Sequence, residues 1–172
     1  KSPWTGVDSN TEANVFSIAI ELPTAQLGDD PIRIWGRCSL RRDGELLHVD
    51  RAGHPSVSSF FNTDETKEEY NASEPIRDRE RWIGQFIHLM GHTGGYDRDE
   101  AIAAIDTEGT LPDMLTYGPS KPAKYPNGRV FTDDVIDYRL AFLTKGDCPP
   151  TGLSPHTDTL EAFPYLGPPH PA

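Results

Sequence analysis

No apolar run in this sequence approaches the roughly 18–20 residues that span a bilayer, and its opening Lys-Ser-Pro-Trp-Thr-Gly lacks the apolar core of a secretory signal. A direct membrane span is therefore not expected. The compartment stays open on these grounds, because a mature protein or an internal fragment has lost any signal. Cysteine is scarce. Cys38 and Cys148 are the only two, and their separation rules out a CxxC redox or zinc-knuckle motif. What is left is a long-range disulfide, two buried thiols, or a free nucleophile.

Basic charge is also in short supply. Sixteen Lys and Arg face 27 Asp and Glu, for a net charge of −11, so the summed field repels phosphate backbones and anionic headgroups. Arginines gather at Arg33, Arg37, Arg41 and Arg42 and again at Arg77, Arg79 and Arg81, but Asp78 and Glu80 interleave with the second group. Nucleic acid is not an expected partner. The sequence has no Gly-x-Ser-x-Gly elbow, no phosphate-cradling glycine loop and no internal repeat, which removes the usual signals for serine hydrolases, nucleotide enzymes and solenoids.

What is present fits one domain over residues 1–172. Residues 14–22 alternate, with Phe16, Ile18, Ile20 and Leu22 on one face, the period-two pattern of a half-buried strand. Ile32, Ile34 and Cys38 share a face of the next run, and Asp43-Gly44 supplies a turn before Leu46, Leu47 and Val49, giving a hairpin over 32–50 with Cys38 facing the core. Residues 50–75 read as loop with a short helical turn. Three helices follow. Trp82, Ile83, Phe86, Ile87, Leu89 and Met90 set an apolar stripe over 78–91, Asp97 is the N-cap of a second helix over 98–106, and Thr132 is the N-cap of a third, with Asp133 and Asp134 in its first turn. A proline-rich tail closes the chain from residue 147. Strands first and helices second point to an α+β fold: a small antiparallel sheet covered by about three helices. Three strands leave two open edges, so further strands are expected from a preceding part of the polypeptide or from another subunit.

Several segments carry a family resemblance. Leu111-Pro112-Asp113-Met114-Leu115-Thr116-Tyr117, the run from Pro126 through Asp137 (Pro-Asn-Gly-Arg-Val-Phe-Thr-Asp-Asp-Val-Ile-Asp), and Phe163-Pro164-Tyr165-Leu166-Gly167-Pro168-Pro169-His170 resemble, in this order, the closing motifs of the bacterial domain-of-unknown-function 4331 family. Val49-Asp50-Arg51-Ala52-Gly53-His54-Pro55, with Phe16 to Pro23, Ile32 to Gly36 and Tyr70-Asn71-Ala72, resembles its middle section. The resemblance implies the C-terminal part of a larger β-rich domain without the family's N-terminal half. It also implies an extracytoplasmic, periplasmic or secreted location, which suits a Cys38–Cys148 disulfide. It supplies no catalytic residues.

Three site hypotheses remain beside the expectation of a non-catalytic structural or binding subunit that joins another chain or a second copy. His88 and His92 are four apart on the first helix, the spacing that lets two imidazoles share a transition metal, with Asp97 or Asp99 as third ligand, although the glutamate of an HExxH motif is absent. Asp133, Asp134 and Asp137 with Asn127 offer oxygens to a calcium-like cation, though not at EF-hand spacing. Either group would make the chain a metal-dependent enzyme or small-ligand binder. Trp4, Trp35 and Tyr96 are the residues available for a carbohydrate-stacking surface. For each, the plainer alternative is a solvated helix face, helix-end charge, or core and interface packing. No cofactor is required by any motif.

Overall fold

The computed structural model describes residues 7–171. Its elements are β1 (Ile32–Ile34), β2 (Gly36–Arg42), β3 (Glu45–Ala52), α1 (Val57–Phe61), α2 (Asp64–Asn71), α3 (Asp78–Gly94), α4 (Arg98–Glu108), β4 (Leu115–Tyr117) and α5 (Val135–Leu143). The fold is α+β with a small amount of antiparallel sheet.

The helices form the body. On α3, Asp78, Trp82, Phe86 and Met90 recur every four residues and are the buried positions, so one stripe faces inward. They meet Val57 and Phe61 of α1, Tyr70 of α2, Ala101 and Ile105 of α4, and Leu143 of α5 in one core. Phe61 stacks on Phe86 with ring centroids 4.1 Å apart. The Asp97 carboxylate accepts the Glu100 N–H, and the Glu100 side chain returns to the Asp97 N–H, a reciprocal cap that fixes the start of α4. Gly95 and Gly109 end α3 and α4 in the left-handed region, at φ 63° each, where a side chain would be strained.

The strands depart from the sequence expectation. The hairpin is real but spans β2 and β3, joined at Asp43-Gly44, with a register shift between Cys38 and Ser39. Chain direction breaks at Trp35, so Ile32 and Ile34 pair instead with Tyr117 and Leu115 of β4. The result is two separate two-stranded sheets, each strand with one open edge. Cys38 does not face a core. It is exposed on β2, Cys148 is half-buried beyond α5, and both are free thiols in this structure.

Residues 14–22 form no strand. The segment carries no ladder to a neighbour, and Phe16, Ile18, Ile20 and Leu22, the expected core face, are 110%, 92%, 76% and 56% exposed. Its ties are peripheral. The Asn14 side chain exchanges two hydrogen bonds with the His170 backbone, and the Tyr165 hydroxyl donates to Glu21. The third helix also starts later than expected: Asp134, not Thr132, is the N-cap, accepting the Asp137 N–H at 2.8 Å. Loop 50–75 contains two short helices where one turn was expected.

Candidate functional site

The richest polar chemistry lies beneath the Val49–Pro55 segment, where β3 runs into α1. Arg51 and Asp78 are both fully buried and pair through two parallel bonds, Nη1 to Oδ2 at 2.9 Å and Nη2 to Oδ1 at 2.7 Å. Arg51 Nε donates to the Tyr70 carbonyl, and its guanidinium lies 4.1 Å from the centroid of the Tyr70 ring. Asp78 Oδ2 also accepts the Asp113 N–H at 2.9 Å. Two charges removed from water persist only when their remaining hydrogen-bonding capacity is met, and here the Tyr70 carbonyl and the Asp113 N–H contribute to meeting it.

Asp113 continues the network. Oδ1 accepts the His54 N–H at 2.6 Å and Oδ2 the Tyr70 hydroxyl at 2.9 Å. Burial raises the Asp113 carboxyl above the usual range, opposed by these two donors, and burial also raises the Tyr70 hydroxyl. The approach of the two loops demands glycine at position 53: a Cβ there would lie 2.0 Å from the Asp113 carbonyl oxygen.

His54 anchors a second branch. Arg139 Nη2 donates to Tyr125 Oη at 2.5 Å, leaving the Tyr125 proton for His54 Nδ1 at 3.1 Å, while His54 Nε2–H faces the Gly109 carbonyl at 3.1 Å. This directionality assigns the neutral, Nε2-protonated tautomer. Burial, reinforced by the Arg139 charge, lowers the imidazole to about 4. With both nitrogens committed, His54 is unavailable as a base for the neighbouring serines. Arg139 is buried against the rings of Phe61 and Phe142, at 5.7 and 5.3 Å, and burial lowers its guanidinium. The network ties β3, α1, α2, α3, α5 and the 109–113 loop into one unit. Its role is positional.

Above it opens a cleft of about 470 Å³, walled by Ser56, Ser58 and Ser59 at α1, Lys67 and Asn71 of α2, and Arg129. His54 is a hydrogen-bonded loop residue, and no sequence pattern named above singles out Arg51, Asp78, Asp113 or Arg139 as buried charges. A signal existed for two of them. Asp78 continues the 82/86/90 stripe of α3, and Arg139 lies midway between the buried Val135 and Leu143 of α5, so each charge occupies an inward helical position.

The other anticipated sites are not assembled. His88 and His92 are both exposed and touch each other, ring centroids 4.5 Å apart, but Asp97 is spent on its cap. Among the described residues no group of three His, Cys, Asp or Glu side chains is placed to hold a metal ion. The aspartates of the expected calcium group serve separate backbone tasks. Asp133 accepts the Tyr125 and Val130 N–H groups, Asp134 caps α5, and Asp137 takes the Thr151 N–H and hydroxyl. Asn127 bridges Gly118 and Pro122. These oxygens staple loops, a job their sequence spacing does not reveal.

Trp4 lies outside the described residues. Trp35 is half-buried beside His48, at 6.1 Å, whereas Tyr96 donates its hydroxyl to the Phe142 carbonyl and stacks under Lys145 at the α3–α4 junction. Those two rings belong to different parts of the fold and form no common platform. Comparison of the chain with family models, curated proteins and solved structures gives no match.

Proposed function

We propose that this chain is a non-catalytic structural or binding subunit of an extracytoplasmic assembly, whose strands are completed by strands of another polypeptide segment. The donor is either the N-terminal half that the domain-of-unknown-function 4331 resemblance implies or a separate subunit. The observation that carries this reading is residues 14–22: a segment with strand periodicity, no ladder, and its whole apolar face in solvent. Such a segment meets its backbone and side-chain requirements by strand addition.

Surface area supports the same reading. The chain exposes 11909 Å². A compact monomer of this mass exposes about 8,400 Å², leaving an excess of about 3,500 Å². That is several times the roughly 800 Å² which each partner contributes to an ordinary interface. The exposed apolar residues include Leu40, Leu46 and Leu47 of the hairpin and Phe16, Ile18 and Ile20 of the segment before it.

Native mass spectrometry of the protein from its source, before and after denaturation, tests the proposal. A complex that separates into this chain and a second polypeptide, or a longer polypeptide containing both halves, is the expected outcome. A monodisperse monomer of this chain alone contradicts it.

A further inference from the structure

We propose that the cleft between α1, α2 and Arg129 binds a small hydroxylated anion, a sugar acid or sugar phosphate. The inference does not rest on strand completion: it uses the cleft where the end of β3 runs into α1 and α2.

The charges around the cleft divide into committed and uncommitted. Arg51 is neutralised by Asp78, and both oxygens of Asp113 are taken by the His54 N–H and the Tyr70 hydroxyl, so the floor is rigid and closed to exchange. Lys67 and Arg129 line the opening, and among the described residues neither forms an ion pair. Asp50 and Asp113 line the same cleft, so its charges balance overall, and with the Asp113 oxygens already taken, Lys67 and Arg129 are the groups left to meet an oxyanion. Lysine and arginine side chains supply charge-assisted donors for such a group.

The rest of the wall suits hydroxyl groups rather than apolar surface. Lys67 and Asn71 are four apart on α2 and share a face. Ser58 already donates to Asn71 Oδ1 at 2.6 Å, which leaves the Asn71 amide hydrogens directed by that pairing. Asp50 contributes a carboxylate of which one oxygen is held by the Arg51 N–H. Ser56 stands at φ 66°, in the left-handed region, on the cleft wall. The combination of two cations with Ser58, Ser59, Asn71 and Asp50 matches a compound that carries one oxyanion and several hydroxyls.

Isothermal titration of the full chain with glucose 6-phosphate, glucuronate and glucose tests this, with amide chemical shifts locating the site. Binding of at least one of the two anions, with shifts at residues 50–59 and 67–71 and no comparable binding of glucose, is expected. Whichever anion binds more tightly identifies the anionic group. Lys67→Ala and Arg129→Ala should each weaken that binding about tenfold, whereas Lys121→Ala, removing an exposed lysine elsewhere, should not. Silence with both anions, equal binding of glucose, or affinity unmoved by Lys67→Ala and Arg129→Ala overturns the proposal.

Discussion

The helical body and the strand side of this chain are built to different standards. Around α3, side chains from four other helices close over Phe86 and Met90, and the buried Arg51 and Asp78 neutralise each other. Residues 14–22 and the β2–β3 hairpin have the alternation of strands but bury almost none of it. The body can satisfy itself because a helix completes its own backbone bonds and needs only neighbours for one stripe. A strand completes neither its backbone nor its face alone, so the same sequence holds one self-sufficient region and one whose strand edges and apolar faces stay open. The junction between them is the Arg51–Asp78–Asp113 network, which fixes the base of the hairpin onto the body.

Breaking that junction gives the largest effect. Arg51→Ala leaves Asp78 buried and unpaired, and a loss of about 3–5 kcal/mol is expected in urea unfolding followed by helical circular dichroism. Acid attacks the same region through His54. Its folded-state value of about 4 lies below the ordinary 6.5, so the unfolded chain takes up the proton first. The His54 contribution is intact above pH 6.5 and is lost as pH falls to 4, to a total of about 3 kcal/mol. Asp113, raised by burial, acts in the opposite direction over its own range. His54→Gln should therefore flatten the stability profile between pH 6.5 and 4, and an unchanged slope would show that the imidazole is not the group responsible.

Gly53→Ala tests the close approach of loops with no change of charge. Its Cβ meets the Asp113 carbonyl, and the displaced backbone should cost about 1–3 kcal/mol in thermal unfolding. Asp134→Ala removes the α5 cap and should cost about 1 kcal/mol by the same measurement. Ile18→Ser is the smallest on the isolated chain, within about 0.5 kcal/mol, because the side chain touches little. In the complete assembly the same change should disrupt association, which pull-down of the partner polypeptide would register. A large loss in the isolated chain would place Ile18 in a core and remove the contrast between the two regions.

Much of the body was legible. The 82/86/90 stripe and the Asp97 cap located α3 and α4, because both signals are local. The Asp43-Gly44 turn located the hairpin, but the break at Trp35 and the pairing of Ile32 with Tyr117 depend on a partner 85 residues away, which no local pattern encodes. Period two at residues 14–22 predicted a half-buried strand that does not form, since alternation describes what a strand can bury and not whether a neighbour is there. The aspartates around position 133 resembled a cation group because carboxylates that staple loops and carboxylates that hold a metal have the same composition. Arg51 lies at the end of a strand whose other residues are mostly exposed and Asp113 lies in an irregular segment, so no periodicity distinguishes either buried charge from a solvated one. Their burial follows from the closure of the tertiary fold.

Amide hydrogen exchange at residues 14–22, read in the isolated chain and in the protein isolated intact from its source, tests the central claim most directly. Rapid exchange in the isolated chain and strong protection in the native protein, with α3 protected in both, is the predicted result. Equal exchange of residues 14–22 in the two samples would contradict strand completion.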